Sequence, residues 1–331
     1  MALACGDALG VPVETMSVRE IKERYGYIKE LISSPSDHRF SEVRNLPAGT
    51  TSDDTQLARA IMQAVINSNG HFDMESIVAE HIREYERSYG RGWGRSTRNA
   101  CERLKIGVPW THSAEPQGGG NGVMMKIAPL GLMSALIEGS SALLYERAMK
   151  IGQMTHGDPA AVVAGVVHAM VIKELAQKNF SGATKFEFIE TISQIIKDTA
   201  RLAESDLGDH DKKVSSMWSL VLNRYNNLAV DILFGEVAEL FGANTSRAFY
   251  SVDSFGLSYF LFIRNPLSFG TVFDAVNVGG DTDTNAAVVG SLVGALNGAE
   301  VIPGHILAGL GARDELERQI EKFIKKVLSR G

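Results

Sequence analysis

Two short stretches carry most of the chemistry that can be read along this chain. In "NVGGDTDTNA" (277–286), Asp281, Thr282, Asp283 and Thr284 place two carboxylates and two hydroxyls in consecutive positions, immediately before a nearly unbroken apolar run. In "TTSDDTQLARAIMQAV" (50–65), Ser52, Asp53, Asp54 and Thr55 again stand ahead of a helical pattern, this time an amphipathic one. Helix capping is one reading, because Asp and Ser side chains accept hydrogen bonds from the open amides of a first turn, and Asp53 with Gln56 fits a capping box. A cap needs one such residue, not three or four. Crowded carboxylates repel one another, and a cation between them relieves the repulsion. Asp, Ser and Thr oxygens suit Mg²⁺, Mn²⁺ or Ca²⁺ rather than zinc or softer ions. If the two helix mouths meet, their oxygens are enough for two ions roughly 3.5–4 Å apart. On spacing alone, metal binding and capping beside a solvated acidic loop both stand.

Three further stretches offer groups for such a centre. In "GDALGVPVET" (6–15), Gly10 and Pro12 read as a helix terminator, so Glu14 beyond them is aimed by the break rather than by helical phase. Taken alone, Glu14 reads as a surface residue. In "QGGGNGVMMKIAPLG" (117–131), Gly118, Gly119, Gly120 and Gly122 let backbone amides approach an anion, and a following helix would add its partial positive charge. Phosphate is the natural ligand for such a loop, although the stretch matches neither a Walker loop nor a dinucleotide fingerprint and a flexible turn is the alternative. A side chain at Gly120 is expected to block the anion or to strain a backbone needing positive φ. In "MTHGDPAAVVAG" (154–165), Thr155 and His156 stand directly before a buried helix, where a histidine alone reads as a cap or core residue.

Helices are the elements that must position these groups. Helical periodicity runs through 55–67, 74–88, 141–153, 159–175, 186–204 and 229–241. At the end of the chain Leu316, Ile320, Phe323, Ile324, Val327 and Leu328 fall on one face, with acids early and bases late, which predicts a surface helix. The stretch 159–173 has His168 as its only polar side chain before Lys173. In 286–298, Ala286, Gly290, Gly294 and Gly298 recur every four residues, a strip on which another helix can lie closely. Segments 34–40, 90–96, 115–122 and 205–213 read as loops, and no alternating strand series or internal repeat appears. The fold class expected is all-α.

The composition narrows the function classes. The 331 residues are 44% hydrophobic and 22% charged, an ordinary globular balance. A net charge of −6, with Lys and Arg scattered, argues against nucleic acid. Cys5 and Cys101 suggest neither disulfide nor zinc framework, so a cytoplasmic location is expected. The apolar runs near 159–173 and 286–296 are too short to span a bilayer, so no membrane partner is expected.

Taken together and in this order, "GDALGVPVE", "TSDDTQLA", "GNGVMMKIAPL", "THGDPAA" and "AVNVGGDTDTNAAVVGSLVGALNG" resemble the motifs of the ADP-ribosylglycohydrolase family, covering residues 6 to 298. The resemblance implies one compact, orthogonal multi-helix domain over 1–331 with a dinuclear metal cleft, most simply a monomer. It implies a hydrolase that removes ADP-ribose from an acceptor, arginine on protein first, by cleavage at the anomeric carbon of the distal ribose. The partner would be an ADP-ribosylated protein or a small ADP-ribose conjugate. By this resemblance Ser52, Asp53, Asp54, Asp281, Asp283 and Thr284 hold two Mg²⁺ or Mn²⁺ ions. Glu14 is the mobile glutamate, and Glu14, Asp53 or Asp54 assists proton transfer. Gly118, Gly119, Gly120, Asn121 and Gly122 hold the diphosphate, with His156 contacting the ligand. A non-catalytic ADP-ribose-binding homologue, or a hydrolase of another nucleotide or small metabolite, are the alternatives. Ser52 stands where Thr is commoner and Lys126 where Arg is usual, which keeps a hydroxyl and a charge respectively. Gly119 leaves no aromatic platform for adenine, with Trp110 as a substitute. The chain begins almost at the first motif, so much of the family's first helix is expected to be missing or trimmed.

Overall fold

A computed structural model describes residues 1–37, 46–88, 92–137, 139–177, 185–207, 212–227, 234–243 and 249–330. The expected loop residues 38–40, 90–91 and 208–211, and 229–233 of an expected helix, lie outside them. The described residues form α1 (Ala2–Gly10), α2 (Val18–Tyr25), α3 (Asp53–Asn67), α4 (Met74–Ser88), α5 (Arg95–Lys105), α6 (Ala128–Leu136), α7 (Ser141–Thr155) and α8 (Pro159–Gln177). The second half adds α9 (Lys185–Leu207), α10 (Lys212–Asn227), α11 (Phe234–Leu240), α12 (Ser251–Arg264), α13 (Gly270–Asn277), α14 (Thr282–Asn297), α15 (Gly304–Gly309) and α16 (Arg313–Leu328). Among these residues the only β pairing is two isolated bridges, Glu115 with His156 and Gly120 with Tyr250. The protein is all-α.

Two segments expected as loops are partly helical: Arg95 and Ser96 open α5, while 205–207 close α9 and 212–213 open α10. The helix expected at 229–241 is described only from Phe234 to Leu240. α12 gives no periodic signal because Ser251 through Ile263 are all buried, leaving no polar face to set a phase. α8 is the central buried helix, and it is longer than its apolar run suggests. At 19 residues and a mean hydropathy of 1.5 it reaches bilayer-spanning length, but 78% of its apolar window is buried within the fold. Its one polar core side chain, His168, is satisfied by the Tyr259 hydroxyl at 3.1 Å and Ser291 Oγ at 2.9 Å. In α16, Leu316, Phe323 and Val327 are buried, whereas Ile324 and Leu328 of the expected apolar face stay exposed.

The contact that sets up the site is between α1 and α14, which run antiparallel with backbones touching. A Cβ on Gly6 would lie 2.1 Å from the Ala286 carbonyl oxygen, one on Gly10 2.3 Å from that of Thr282, and one on Gly290 2.4 Å from that of Ala2. Only glycine permits that approach, and the four-residue spacing keeps it on one helical face. Gly298 departs from the strip: with φ of 79° it caps the end of α14. α1 therefore fixes the start of α14, and the short turn Val11–Val13 that follows leads to Glu14.

Candidate active site

The mouths of α3 and α14 meet. Thr284 Oγ1 donates to Asp54 Oδ2 at 3.3 Å, and Ser52 Oγ donates to the same oxygen at 3.0 Å. Carboxylate oxygens of Asp7, Asp54 and Asp283 lie within 4.8 Å of one another, as do those of Glu14, Asp281 and Asp283. All of these residues are buried, so the acids form the floor of a pit rather than a solvated surface loop.

Capping explains only part of the arrangement. Ser52, not Asp53, is the N-cap of α3, its Oγ accepting from the Asp54 amide at 3.3 Å, and the capping box with Gln56 does not form. Gln56 instead accepts from the Trp93 indole at 2.9 Å. Asp281 occupies the N-cap position of α14 without a side-chain cap bond. It accepts from Asn121 Nδ2 at 2.7 Å, and Asp283 Oδ1 accepts from the Thr284 amide at 2.9 Å.

The electrostatics of the floor call for positive charge. Burial first, then neighbouring acids, push Asp54 and Asp281 well above the usual carboxylate range, and burial with the Asp283 charge raises Asp7 to about 6. Asp54 Oδ1 is buried with no hydrogen-bond partner. An orphaned carboxylate oxygen among mutually repelling acids, in an all-oxygen donor set of carboxylates and hydroxyls, fits hard divalent cations.

Asp7 stands inside the motif "GDALGVPVE", but no role is expected of it from the sequence. It sits in the middle of the apolar α1, and both its oxygens accept the Ser52 amide at 3.0 Å. Oδ2 also takes the Thr55 amide at 3.1 Å and the Thr55 hydroxyl. A carboxylate inside an otherwise apolar helix is the one signal that could have found it.

Above the floor lies a cavity of about 510 Å³, lined by Glu14, Asp53, Asp54, Asp281, Asp283, Thr284, Gly119, Gly120, Asn121, Gly122 and His156 among others. That is ample for a nucleotide-sized ligand. Of the expected site residues, Ser52 and Gly118 are not on its wall. Ser52 sits just below the floor, and Gly118 packs on Ser96, whose Oγ would be 2.8 Å from an added Cβ. Within the loop, the Gly118 amide donates to Glu115 O at 2.9 Å and the Asn121 amide to Phe249 O at 3.2 Å. The glycines of the loop that line the cavity are Gly119, Gly120 and Gly122. Asn121 acts through its side chain, bridging Asp281 and Ser254.

The expected positive φ at Gly120 is absent; none of Gly118 to Gly122 adopts it. These glycines are required by proximity instead. A Cβ on Gly122 would lie 2.9 Å from His156 Cε1 and one on Gly119 3.0 Å from the Tyr250 ring, whereas one on Gly120 would make ordinary contacts at 3.6 Å or more. Trp110 is not on the cavity wall; it is half-buried against the main core. The aromatic residues on the wall are Phe249 and Tyr250, brought there by the Gly120–Tyr250 bridge, a contact with no signature in the sequence.

Comparison with known proteins agrees with the motifs. A profile of the ADP-ribosylglycohydrolase family matches residues 1–331. The chain is 26% identical over 277 residues to the ADP-ribosylhydrolase ARH3 of Xenopus tropicalis, covering 77% of this chain and 75% of that one. It is 23% identical over 310 residues to the ADP-ribosylarginine hydrolase Tri1 of Pseudomonas putida, covering 92% and 70%. Among solved structures, one described as an ADP-ribosylglycohydrolase-related protein complex superposes with a TM-score of 0.72 at 26% identity, covering 98% of this chain and 95% of that one.

Proposed function

The chain belongs to the ADP-ribosylglycohydrolase family, and from that membership we propose that it hydrolyses the bond at the anomeric carbon of the distal ribose in ADP-ribosyl-arginine on protein. The observation that carries the reading is the convergence of both acidic helix mouths, the glycine loop and His156 on one cavity. The arginine linkage draws support from the arginine-specific name of the Pseudomonas putida relative.

Ser52, Asp53, Asp54, Asp281, Asp283 and Thr284 would hold two divalent cations, Mg²⁺ or Mn²⁺. When bound, such ions supply positive charge that orients ribose hydroxyls and eases deprotonation of a water. The protein's own groups do the rest. The amides of Gly119, Gly120 and Gly122 with His156 bind the diphosphate and so fix the distal ribose over the acids. Glu14 lines the cavity and is not among the six residues named for the cations, which include Asp53 and Asp54, so it carries the proton transfer. Asn121 orients Asp281, and Asp7 orients the mouth of α3. The two cysteines are free and buried, in keeping with a cytoplasmic enzyme, and a monomer suffices because one chain supplies every group named.

Incubation of the Mg²⁺- or Mn²⁺-loaded protein with ADP-ribosyl-arginine, ADP-ribosyl-serine and O-acyl-ADP-ribose tests this directly. The expected result is free ADP-ribose and arginine from the first, stopped by EDTA. Turnover of another conjugate alone would refute the arginine linkage. Turnover of none would refute the reading.

A further inference from the structure

Behind the cavity wall, a buried cation reaches the ligand space through two other residues. Lys126 lies in the turn after the glycine loop, is fully buried and is not on the cavity wall. Its ammonium donates to Thr155 Oγ1 at 3.1 Å. An ammonium has no lone pair to accept with, so the direction of that bond is fixed. Thr155 Oγ1 in turn lies 2.8 Å from His156 Nδ1 and 3.5 Å from the Gly152 carbonyl. That carbonyl already accepts the His156 amide at 2.9 Å, and 3.5 Å is long for a hydroxyl bond. Nδ1, at 2.8 Å, is therefore the acceptor that the geometry favours for the single Thr155 proton.

Resting on the ADP-ribose reading above, we propose that Lys126 and Thr155 act as positioning residues that fix His156 in the tautomer protonated on Nε2, making it a donor to an anionic diphosphate oxygen. The ring is neutral, since burial and then the Lys126 charge lower it to about 3. In a neutral imidazole, an accepting Nδ1 leaves the proton on Nε2. Nε2 sits within 3.9 Å of where a Cβ on Gly120 would be and 3.1 Å of one on Gly122, and all three residues line the same cavity. The opposite tautomer would direct a lone pair at the anion, turning an attraction into a repulsion. The relay thus decides the sign of the His156 contact, and the buried lysine imposes it without touching the ligand.

Long-range ¹H–¹⁵N spectra of histidine-labelled full-length protein, with His156 assigned through His156→Gln, read the tautomer directly. Calorimetric titrations with ADP-ribose and with inorganic pyrophosphate read its consequence. In the wild type the proton is expected on Nε2. Thr155→Val should move it wholly or partly to Nδ1 and weaken both ligands about tenfold to a hundredfold, while Thr155→Ser, which keeps the hydroxyl, should restore both. A wild-type His156 protonated on Nδ1 overturns the proposal even if Thr155→Val fails to fold, and so does a folded Thr155→Val that keeps the Nε2 proton. Wild-type protein with the Nε2 proton and pyrophosphate binding that Thr155→Val weakens, but no ADP-ribose binding, supports the relay and refutes the ADP-ribose reading instead.

Discussion

At the mouth of α3, Ser52 caps the helix and a buried carboxylate from another helix, Asp7, receives the amides of Ser52 and Thr55. At the mouth of α14, Asp281 caps nothing, and the Thr282 hydroxyl donates to the Gly10 carbonyl at 2.7 Å. The loop just before α14 is pinned by its own backbone, Thr15 N to Gly280 O at 2.7 Å and Gly280 N to Met16 O at 2.9 Å. The two mouths carry nearly the same side chains and are both anchored on α1, one through a side chain and the other through main chain. The register between them depends on α1, and a point substitution can release the α3 side far more easily than the α14 side.

Asp283 is where the two mouths become one site, because its carboxylate belongs to both acidic groups. Asp283→Asn is therefore expected to abolish turnover and lower bound Mn²⁺ below two per chain, measured by product release and by metal analysis of desalted protein. Several kcal/mol of charge stabilisation are at stake, on the order of a 10³-fold or greater loss in kcat. Full activity with unchanged metal content would contradict the joining of the mouths.

Glu14 comes next. Glu14→Gln should slow kcat by ~10²–10⁴ and change the melting temperature far less, because the amide keeps the shape of a side chain on the cavity wall. A rate within a few-fold of wild type would return Glu14 to a bystander.

The comparison itself is sharpened by a pair. Asp7→Asn should lower metal affinity by ~10–100-fold, as loss of an orienting outer group typically does. Thr282→Val removes one hydrogen bond from the side also held by main chain, roughly 1 kcal/mol, and should change metal affinity only a few-fold. Mn²⁺ titration of both variants checks this, and equal effects would erase the asymmetry.

The smallest effect is thermal. Asp7, Asp54 and Asp281 all have folded-state pKa values raised above the ordinary 3.8, Asp7 to about 6. The folded chain therefore holds protons that the unfolded chain has released, and stability falls as pH rises through that window. The buried rings of His81, His156 and His168, lowered to about 3, oppose this between pH 5.5 and 7.5, so the acids' share is read from the rise in melting temperature on adding Mg²⁺, which should be at least ~2 °C larger at pH 7.5 than at pH 5.5. An equal or reversed rise would mean that the acids are not crowded in the folded chain.

The parts of this site visible in the sequence are those with redundancy. Four oxygen donors in a row exceed what a cap requires, which is why both mouths stand out in the residue order, although spacing alone leaves capping open beside metal binding. The four-residue strip on α14 predicts a close helix, and α1 lies there. What escapes has a single residue as its trace. Asp7 looks like one polar residue in an apolar helix, and Asn121 looks like part of the glycine loop although its side chain serves Asp281. Phe249 and Tyr250 reach the wall through a tertiary bridge more than a hundred residues away in sequence, which no local period encodes. The glycine loop stands out in the sequence, but the positive φ expected of it does not hold, since its glycines are needed for closeness to His156 and Tyr250.

The central claim is that two distant helix mouths, registered by α1, build one dinuclear centre. Anomalous diffraction from crystals grown with Mn²⁺ tests it most directly. The account predicts two peaks roughly 3.5–4 Å apart, between Asp53 and Asp54 on one side and Asp281, Asp283 and Thr284 on the other. A single peak, or peaks ligated by only one of the two mouths, would contradict it.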